Sequence, residues 1–124
     1  MAYILVVDDS SFSRKAIIKI IESTGHEGLG AGDYEEFLEM MEKRSPHLVM
    51  LDLLMPGKSG YDILEYLKEK GSPVPVIVLT ADIQTTVKEK CLALGAKEIL
   101  HKPPLKEQIE EAINSVIKKS MKMR

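Results

Sequence analysis

The sequence predicts an α/β fold in which five strands alternate with five helices. Residues 48–51 and 76–79 are continuous apolar runs of strand length, which is typical of strands covered on both faces. Segments with the apolar period of a helix separate the predicted strands. Because βα repetition of this kind produces parallel sheets with right-handed crossovers, we expect helices on both faces of one sheet.

Five segments are predicted as strands because each is a short apolar or β-branched run. They are Tyr3–Val7, 26–31, 47–52, 76–79 and Glu98–His101. The second is the least regular, since its glycines weaken a strand. The turn signal Pro56-Gly57 follows the third strand. Asp52 is therefore expected near the carboxyl end of a central strand, where open α/β sheets place their ligand sites.

Polar caps and glycines mark the ends of the predicted helices. The candidate N-caps are Ser10, Ser11, Asp33 and Ser59. Three helices end at Gly25, Gly71 and Gly95, and the second helix ends before Pro46. The residues expected on the apolar faces are, in chain order, Phe12, Ala16, Ile17, Ile20, Ile21, Phe37, Leu38, Met41, Ile63, Leu64, Leu67, Val87, Cys91, Leu94, Leu105, Ile109, Ala112, Ile113, Val116 and Ile117.

Composition limits the class of protein. A chain of 124 residues is one domain of ordinary size, and a net charge of -2 lacks the positive balance that favours a nucleic-acid surface. One cysteine forms no internal disulfide, and no apolar run approaches the roughly 20 residues of a membrane helix. We therefore expect a cytoplasmic protein with no membrane insertion and no direct nucleic-acid contact. The domain is predicted over residues 1–119, followed by a short basic tail at residues 120–124.

Four of the predicted strands end in polar residues that carry chemistry. Asp8 and Asp9 follow the first strand, Asp52 ends the third, Thr80 ends the fourth and Lys102 follows the fifth. In a parallel sheet these positions share one edge, where each pair of carboxylates about 4 Å apart repels by about 4 kcal/mol at an effective dielectric of about 20. A hard divalent cation such as Mg²⁺ relieves this repulsion, and no Cys or His is placed for a zinc site.

Such a site favours phosphoryl transfer to a carboxylate. An ionised aspartate can attack phosphorus and form an aspartyl phosphate, while a metal ion and a lysine offset the charge of the transferred group. Asp52 is the best candidate for the nucleophile because it stands alone on a central strand, and Asp8 and Asp9 are the candidate metal pair. Taken singly, Asp8-Asp9 could also be a helix cap and Lys102 a solvated edge charge. Their joint placement favours a site.

Five separated motifs together resemble one family over essentially the whole chain. Asp8-Asp9, Asp52, Met55-Pro56-Gly57, Thr80-Ala81 and Lys102-Pro103 are similar, in order and separation, to the motifs of the CheY-like response regulator receiver domain. The resemblance implies a flavodoxin-like (βα)5 three-layer sandwich. Its five-stranded parallel sheet would have the order 2-1-3-4-5.

The resemblance also implies a role for each site residue. Asp52 would be the phosphoacceptor and a metal ligand, Asp9 a direct Mg²⁺ ligand, and Asp8 a ligand through water. The backbone carbonyl of Leu54 would be a further ligand.

The remaining motifs would act on the phosphoryl group itself. Lys102 would pair with it, Thr80 would move toward it, and the backbone N–H of Ala81 would meet one of its oxygens. The Lys102-Pro103 peptide bond is expected to be cis, as it often is in the family.

By resemblance, the protein is a single-domain response regulator of a two-component system. It would accept a phosphoryl group from the phosphohistidine of a histidine kinase and would not otherwise be an enzyme. Its downstream target would contact the face formed by the last two helices and the fifth strand. The output is either a chemotaxis-type switch or a phosphorelay to a second histidine protein.

The sequence departs from the family pattern at four positions. Ile99 replaces a common aromatic residue that reports phosphorylation, which mildly favours a relay or an atypical switch, and Pro104 replaces a frequent Phe. Leu54 and Asp82 line the approach of water to the phosphoryl group. Because leucine cannot position water, we expect slower self-dephosphorylation than in a Leu54→Asn variant.

Other functional classes fit the sequence less well. A dehalogenase-like phosphatase requires an acid two residues after the nucleophile, where Leu54 stands, and a flavodoxin-type FMN binder requires a phosphate loop after the first strand. An unphosphorylated receiver-like module is disfavoured because every acceptor residue is present. Gly57-Lys58-Ser59 mimics the end of a P-loop but lacks its first glycine. The histidines are predicted to be structural, and Cys91 is predicted to be part of the core.

Overall fold

Strands and helices alternate along the whole described chain. A computed structural model describes residues 2–122, and the side chains of residues 2–118. The elements are β1 (Tyr3–Val7), α1 (Ser11–Ser23), β2 (Glu27–Ala31), α2 (Tyr34–Lys43), β3 (Leu48–Asp52), α3 (Gly60–Glu69), β4 (Val76–Thr80), α4 (Thr85–Ala93), β5 (Glu98–His101) and α5 (Lys106–Lys122).

The five strands form one parallel sheet in the order β2-β1-β3-β4-β5. This is the predicted doubly wound arrangement. β1, β3 and β4 are buried along their whole length, which explains their continuous apolar runs. The order of the strands reverses between β1 and β3, so the carboxyl ends of these two strands border the crevice where such sheets bind ligands.

Two hydrophobic clusters, one on each face, make the fold a three-layer sandwich. Phe37 of α2, Leu64 of α3 and Cys91 of α4 pack on one face of the sheet. Ile17 of α1 and Ile109 of α5 pack on the other face. Alternate residues of β1, β3 and β4 belong to the two clusters, as the pleat of a strand requires. The predicted core position of Cys91 is confirmed.

Three residues predicted on apolar helix faces are instead exposed. Phe12 is 85% exposed and Ala16 is also exposed, because successive helical residues are rotated by about 100° and both lie well away from the buried Ile17. Leu105 is 64% exposed because it precedes the first residue of α5 and is not on its buried stripe. The predicted apolar faces were wrong at these positions.

The predicted caps locate the helices correctly. The Ser10 hydroxyl accepts a hydrogen bond from the Ser13 backbone N–H, and the Asp33 carboxylate accepts one from the Glu36 N–H. The backbone N–H of Ser59 donates to the Asp62 carboxylate at 2.7 Å. Gly57-Lys58-Ser59 therefore leads into a capped helix, α3.

The last helix reaches the stretch predicted as a short basic tail. α5 continues to Lys122, so its backbone includes part of residues 120–124, and the division into a domain and a tail stays a prediction. Residues 123–124 lie outside the described residues. No helix in the described part of the chain is long and apolar enough to cross a membrane.

Candidate functional site

The register of the sheet brings the predicted site residues to one edge. Asp8 directly follows β1, and Asp52 and Thr80 are the last residues of β3 and β4. Asp52 pairs with the penultimate residue of β4, and Thr80 pairs with the last residue of β5, just before Lys102. Residues up to 94 positions apart in the chain therefore meet at the carboxyl ends of four strands.

Three carboxylates and one ammonium group form the centre of this edge. Asp8, Asp9 and Asp52 each offer a carboxylate oxygen, and these three oxygens lie within 4.8 Å of one another. The Lys102 Nζ donates to Asp8 Oδ2 at 2.7 Å and to Asp52 Oδ2 at 3.2 Å. Asp8 is 1% exposed and Asp52 is 6% exposed, whereas Asp9 is open to solvent. The structure brings together all four charged residues that the sequence predicted.

Burial and hydrogen bonding give the two buried acids opposite pKa shifts. Burial opposes ionisation of Asp8, but hydrogen bonds from Lys102, Ser13 and the Ser10 backbone N–H outweigh it and lower the pKa of Asp8. For Asp52, burial and the neighbouring Asp8 charge outweigh the attraction of Lys102, so its pKa is raised. Of the two buried acids, Asp52 is the one whose negative charge is less compensated.

The same contacts stabilise the charged form of Lys102. Burial disfavours its charge, but the hydrogen bond to Asp8 and the charge of Asp52 outweigh burial, so the pKa of Lys102 is raised. A lysine with a raised pKa stays protonated at neutral pH and holds the two buried carboxylates together. Lys102 pairs with two of the three carboxylates, and that of Asp9 has no salt bridge within the described residues, which leaves an excess of negative charge in the cluster.

The donor set of the cluster fits a hard divalent cation. Its potential ligands are all oxygen atoms, they come from three carboxylates, and one of those carboxylates is accessible from solvent. Oxygen ligands and a surplus of negative charge are what Mg²⁺ requires, and softer metals would demand His or Cys ligands. Asp8, Asp9 and Asp52 would hold the ion.

Thr80, Ala81 and Leu54 lie at or just after the ends of β4 and β3, at the same edge of the sheet as the cluster. Thr80 is buried, and its hydroxyl accepts a hydrogen bond from the Asp82 backbone N–H at 3.1 Å. Ala81 is exposed. The backbone N–H of Leu54 faces Asp52 Oδ1 at 3.3 Å, and its side chain is 66% exposed. The predicted role of the Leu54 carbonyl as a metal ligand stays a prediction.

A close backbone approach fixes the position of Asp52. The Gly60 N–H donates to the Leu53 carbonyl at 3.0 Å, which brings the start of α3 against the end of β3. A Cβ at Gly60 would lie 2.6 Å from the Asp52 carbonyl oxygen and 2.8 Å from the Leu53 Cα. Only glycine fits there without a shift of the backbone that carries Asp52.

Two features near Lys102, a peptide bond and the side chain of Ile99, were considered in the sequence analysis. The Lys102-Pro103 peptide bond is cis, as predicted. Ile99, at the position of the expected aromatic residue, is half-buried and packs against the core beneath α3 and α4.

One residue of the site was missed by the sequence analysis. The Arg14 Nη1 donates to the backbone carbonyl of Asp8 at 2.6 Å. Helical side chains point back toward the N-terminus of their helix. A long basic side chain in the first turn of α1 could therefore have been predicted to reach the end of β1.

Several curated proteins are similar to this chain. A probable transcriptional regulator ycf27 of Porphyridium aerugineum is 35% identical over 116 residues, which cover 94% of this chain and 48% of that protein. Protein PilH of Pseudomonas aeruginosa is 32% identical over 119 residues, which cover 94% of this chain and 98% of that protein. The chain thus spans about half the length of the ycf27 relatives and nearly all of PilH.

Solved structures have the same fold. The receiver domain of Francisella response regulator 1452 superposes with a TM-score of 0.91 at 26% identity, covering 97% of this chain and 99% of that one. The chemotaxis protein CheY4 of Vibrio cholerae superposes with a TM-score of 0.88 at 26% identity, covering 94% and 98%. Residues 4–114 also match the sequence family of the response regulator receiver domain. With its acidic cluster, its lysine and its strand order, the chain belongs to the response regulator receiver domain family.

Proposed function

We propose that Asp52 accepts a phosphoryl group from the phosphohistidine of a histidine kinase in a magnesium-dependent reaction. The observation that carries this proposal is the meeting of three carboxylates, two of them paired with the Lys102 ammonium, at the switch point of the sheet. Among the three acids, Asp52 is the one that is buried within a central strand. In the transfer, a carboxylate oxygen of Asp52 forms a bond to phosphorus as the bond from phosphorus to the histidine nitrogen breaks.

Lys102 and the metal ligands have separate tasks in this reaction. Bound Mg²⁺, held by Asp8, Asp9 and Asp52, would supply positive charge against the negative charge of the transferred group. The Lys102 Nζ already lies 3.2 Å from Asp52. After the transfer Asp52 loses its own negative charge, so the ammonium can pair with a phosphoryl oxygen.

Thr80 and Ala81 are the residues that respond to the phosphoryl group. The Thr80 hydroxyl can donate a hydrogen bond as well as accept one. Movement of Thr80 toward Asp52 would end its present contact with the Asp82 N–H and change the loop between β4 and α4. The Ala81 backbone N–H would meet another phosphoryl oxygen.

The signal would leave the protein through the face of α4, β5 and α5. β5 is an edge strand that pairs only with β4 among the described strands, and Leu92 of α4 is 53% exposed. The loop changed by Thr80 leads directly into α4. These features support a protein partner at this face.

A chemotaxis-type switch and a phosphorelay both remain consistent with this site. The similarity to CheY4, a chemotaxis protein, supports the switch. Ile99 supports the relay, because an aliphatic side chain packed in the core lacks the ring that would report the state of Thr80. Appearance of the phosphoryl group on a histidine protein mixed with the phosphorylated chain would establish the relay.

The decisive experiment is incubation with acetyl phosphate and Mg²⁺, followed by intact mass measurement. We expect the wild type to gain one phosphoryl group, and the gain to disappear in Asp52→Asn and in excess chelator. Asp33→Asn is the matched control, because asparagine caps a helix as well as aspartate does and Asp33 lies at the start of α2. A gain that persists in Asp52→Asn would refute the proposed acceptor.

Leu54 gives a second test of the same site. Its exposed side chain stands beside Asp52 and cannot hydrogen-bond to water. We expect the phosphorylated Leu54→Asn variant to lose its phosphoryl group faster than the phosphorylated wild type does. Equal lifetimes of the two phosphoproteins would remove Leu54 from the control of hydrolysis.

A further inference from the structure

Arg14 links α1, the end of β1 and the edge strand β2. Its Nη1 donates to the Asp8 carbonyl at 2.6 Å. A Cβ at Gly30 would lie 2.7 Å from Arg14 Cδ and 3.0 Å from Arg14 Cγ, so the arginine stem lies directly against the backbone of β2. Within residues 2–118, no carboxylate forms a salt bridge with Arg14. Its guanidinium is therefore directed at the backbone of the acidic turn.

The carbonyl that Arg14 holds belongs to the peptide group between Asp8 and Asp9. A peptide group is planar, so its oxygen, its nitrogen and the two flanking Cα atoms move as one unit. A hydrogen bond to the oxygen therefore restrains both Cα atoms at once. Since the Asp8 N–H also donates to the Ala31 carbonyl at 3.1 Å, the turn is held on both sides of Asp8.

The side chains of the two aspartates are held unequally. The Asp8 carboxylate accepts hydrogen bonds from the Ser10 N–H at 2.9 Å and from Lys102. Asp9 is exposed, and among the hydrogen bonds of the described residues none is accepted by its carboxylate. The orientation of Asp9 relative to Asp8 therefore depends on the peptide plane that Arg14 restrains.

We propose that Arg14 is a positioning residue for magnesium binding, and that Gly30 is glycine so that the arginine can reach the peptide between Asp8 and Asp9. This inference rests on the proposed function, because it assigns Arg14 to the metal site described above. Residues that orient metal ligands commonly change metal affinity by about 10- to 100-fold when they are replaced. A purely structural arginine would change the stability of the fold and leave the affinity for the ion unaltered.

The first test measures Mg²⁺ binding by titration calorimetry on the full chain. Arg14→Met keeps the apolar stem and removes the guanidinium, and we expect it to weaken Mg²⁺ binding about tenfold. Arg14→Lys retains one donor and should restore part of the affinity. Arg44→Met is the matched control: Arg44 is an exposed arginine paired with Glu27 at the opposite edge of the sheet, and its loss should leave Mg²⁺ affinity unchanged.

A second test needs no metal. Loss of the hydrogen bond to the Asp8 carbonyl changes the polarisation of the peptide that contains the Asp9 amide. We expect the Asp9 amide ¹⁵N resonance of the metal-free protein to shift in Arg14→Met and not in Arg44→Met.

Gly30 provides a double-mutant cycle. Gly30→Ala alone should displace the arginine stem and weaken Mg²⁺ binding, whereas Gly30→Ala added to Arg14→Ala should cause no further loss. Additive losses would show that Gly30 acts independently of Arg14 and would overturn that part of the inference.

The outcomes separate this inference from the proposed function. No Mg²⁺ binding by the wild type would refute the metal site and this inference together. Normal binding by the wild type and equal binding by Arg14→Met would overturn the role of Arg14 alone, even if Arg14→Met lowered the stability of the fold.

Discussion

The strands of the parallel sheet begin at one edge, the amino edge, and end at the other, the carboxyl edge. Polar side chains lie at both edges, but their hydrogen bonds and charges are matched differently at the two. At the amino edge, the Ala2 N–H donates to His26 Nδ1 at 3.0 Å and the Tyr3 N–H donates to His47 Nδ1 at 2.9 Å. Each donor there has one acceptor. These two histidines are structural, as the sequence predicted.

Charge at the amino edge is also balanced. Arg44 forms two hydrogen bonds with Glu27, at 2.9 and 3.0 Å, and its guanidinium lies over the Tyr3 ring at 4.2 Å. One cation therefore meets one anion and one aromatic face. Nothing in this arrangement requires a further ligand.

The carboxyl edge is unbalanced by comparison. Asp8 and Asp52 share the ammonium of Lys102, and Asp9 adds a third carboxylate to the cluster. The pKa of Asp52 is raised because its charge is buried beside that of Asp8. Balanced polar contacts at the end of a strand stabilise a fold, whereas an excess of one charge creates a binding site. The predictions below test whether the two edges differ in this way.

The largest expected effect is a pair of opposite stability changes at the carboxyl edge. Lys102→Met leaves two buried carboxylates unpaired, and we expect it to lower the free energy of unfolding by about 3 kcal/mol. Asp52→Asn removes the poorly compensated charge and should raise the free energy of unfolding of the metal-free protein by about 1 kcal/mol. Urea unfolding in excess chelator measures both. A loss of stability in both variants would contradict the excess of negative charge.

Gly60 and Gly71 lie at opposite ends of α3 and so compare the two edges directly. Alanine at Gly60 would press on the backbone of Asp52, and we expect Gly60→Ala to cost about 2 kcal/mol and to slow phosphorylation of Asp52 by acetyl phosphate. Gly71 has a φ of 63° and open space around it, so Gly71→Ala should cost about 1 kcal/mol through backbone strain alone.

The phosphorylation rate separates the two glycine variants. Gly71→Ala should be phosphorylated at the wild-type rate. If both variants lost stability and neither lost rate, the close approach at Gly60 would not position the acceptor.

A smaller effect is expected at the amino edge. His47→Ala leaves the Tyr3 N–H without its acceptor and should lower the free energy of unfolding by about 1 kcal/mol. His101→Ala, at an exposed position, is the control and should change it by less than about 0.5 kcal/mol. His47→Ala should still be phosphorylated at the wild-type rate, and a slower rate would show that the two edges are coupled.

The smallest predicted effect is a pH dependence from His26. Burial lowers the pKa of His26, and its Nδ1 accepts the Ala2 N–H and so must be unprotonated in the fold. As the pH falls through about 6.5, the unfolded chain takes up a proton before the folded protein does, so this contribution to stability is lost below that pH.

Unfolding in urea at about pH 7.5 and about pH 5.5 measures this loss, which should be less than about 1 kcal/mol. His26→Asn should show a smaller change between the two pH values than the wild type. An equal change would assign the pH dependence to other groups.

The sequence predicted the helices and strands well because a strand buried on both faces consists almost entirely of apolar residues. The continuous apolar runs of β3 and β4 favoured strands covered on both faces, and Ser10, Asp33 and Ser59 located three helix starts. Prediction failed where the apolar character of a residue does not show whether its side chain faces the core or the solvent. Phe12 and Leu105 are apolar, yet both are largely exposed.

The sequence by itself determined the elements and the chemical groups at their ends, because burial and capping act on neighbouring residues. That Asp8, Asp52 and Lys102 share hydrogen bonds was decided only by the tertiary structure, since strand order and register bring together positions distant in the chain. The hydrogen bond from Arg14 to the Asp8 carbonyl depends likewise on the packing of separate elements. So do the hydrogen bonds that two histidines accept from backbone N–H groups at the start of β1. Backbone groups look alike in every sequence, so their partners emerge only from the folded arrangement.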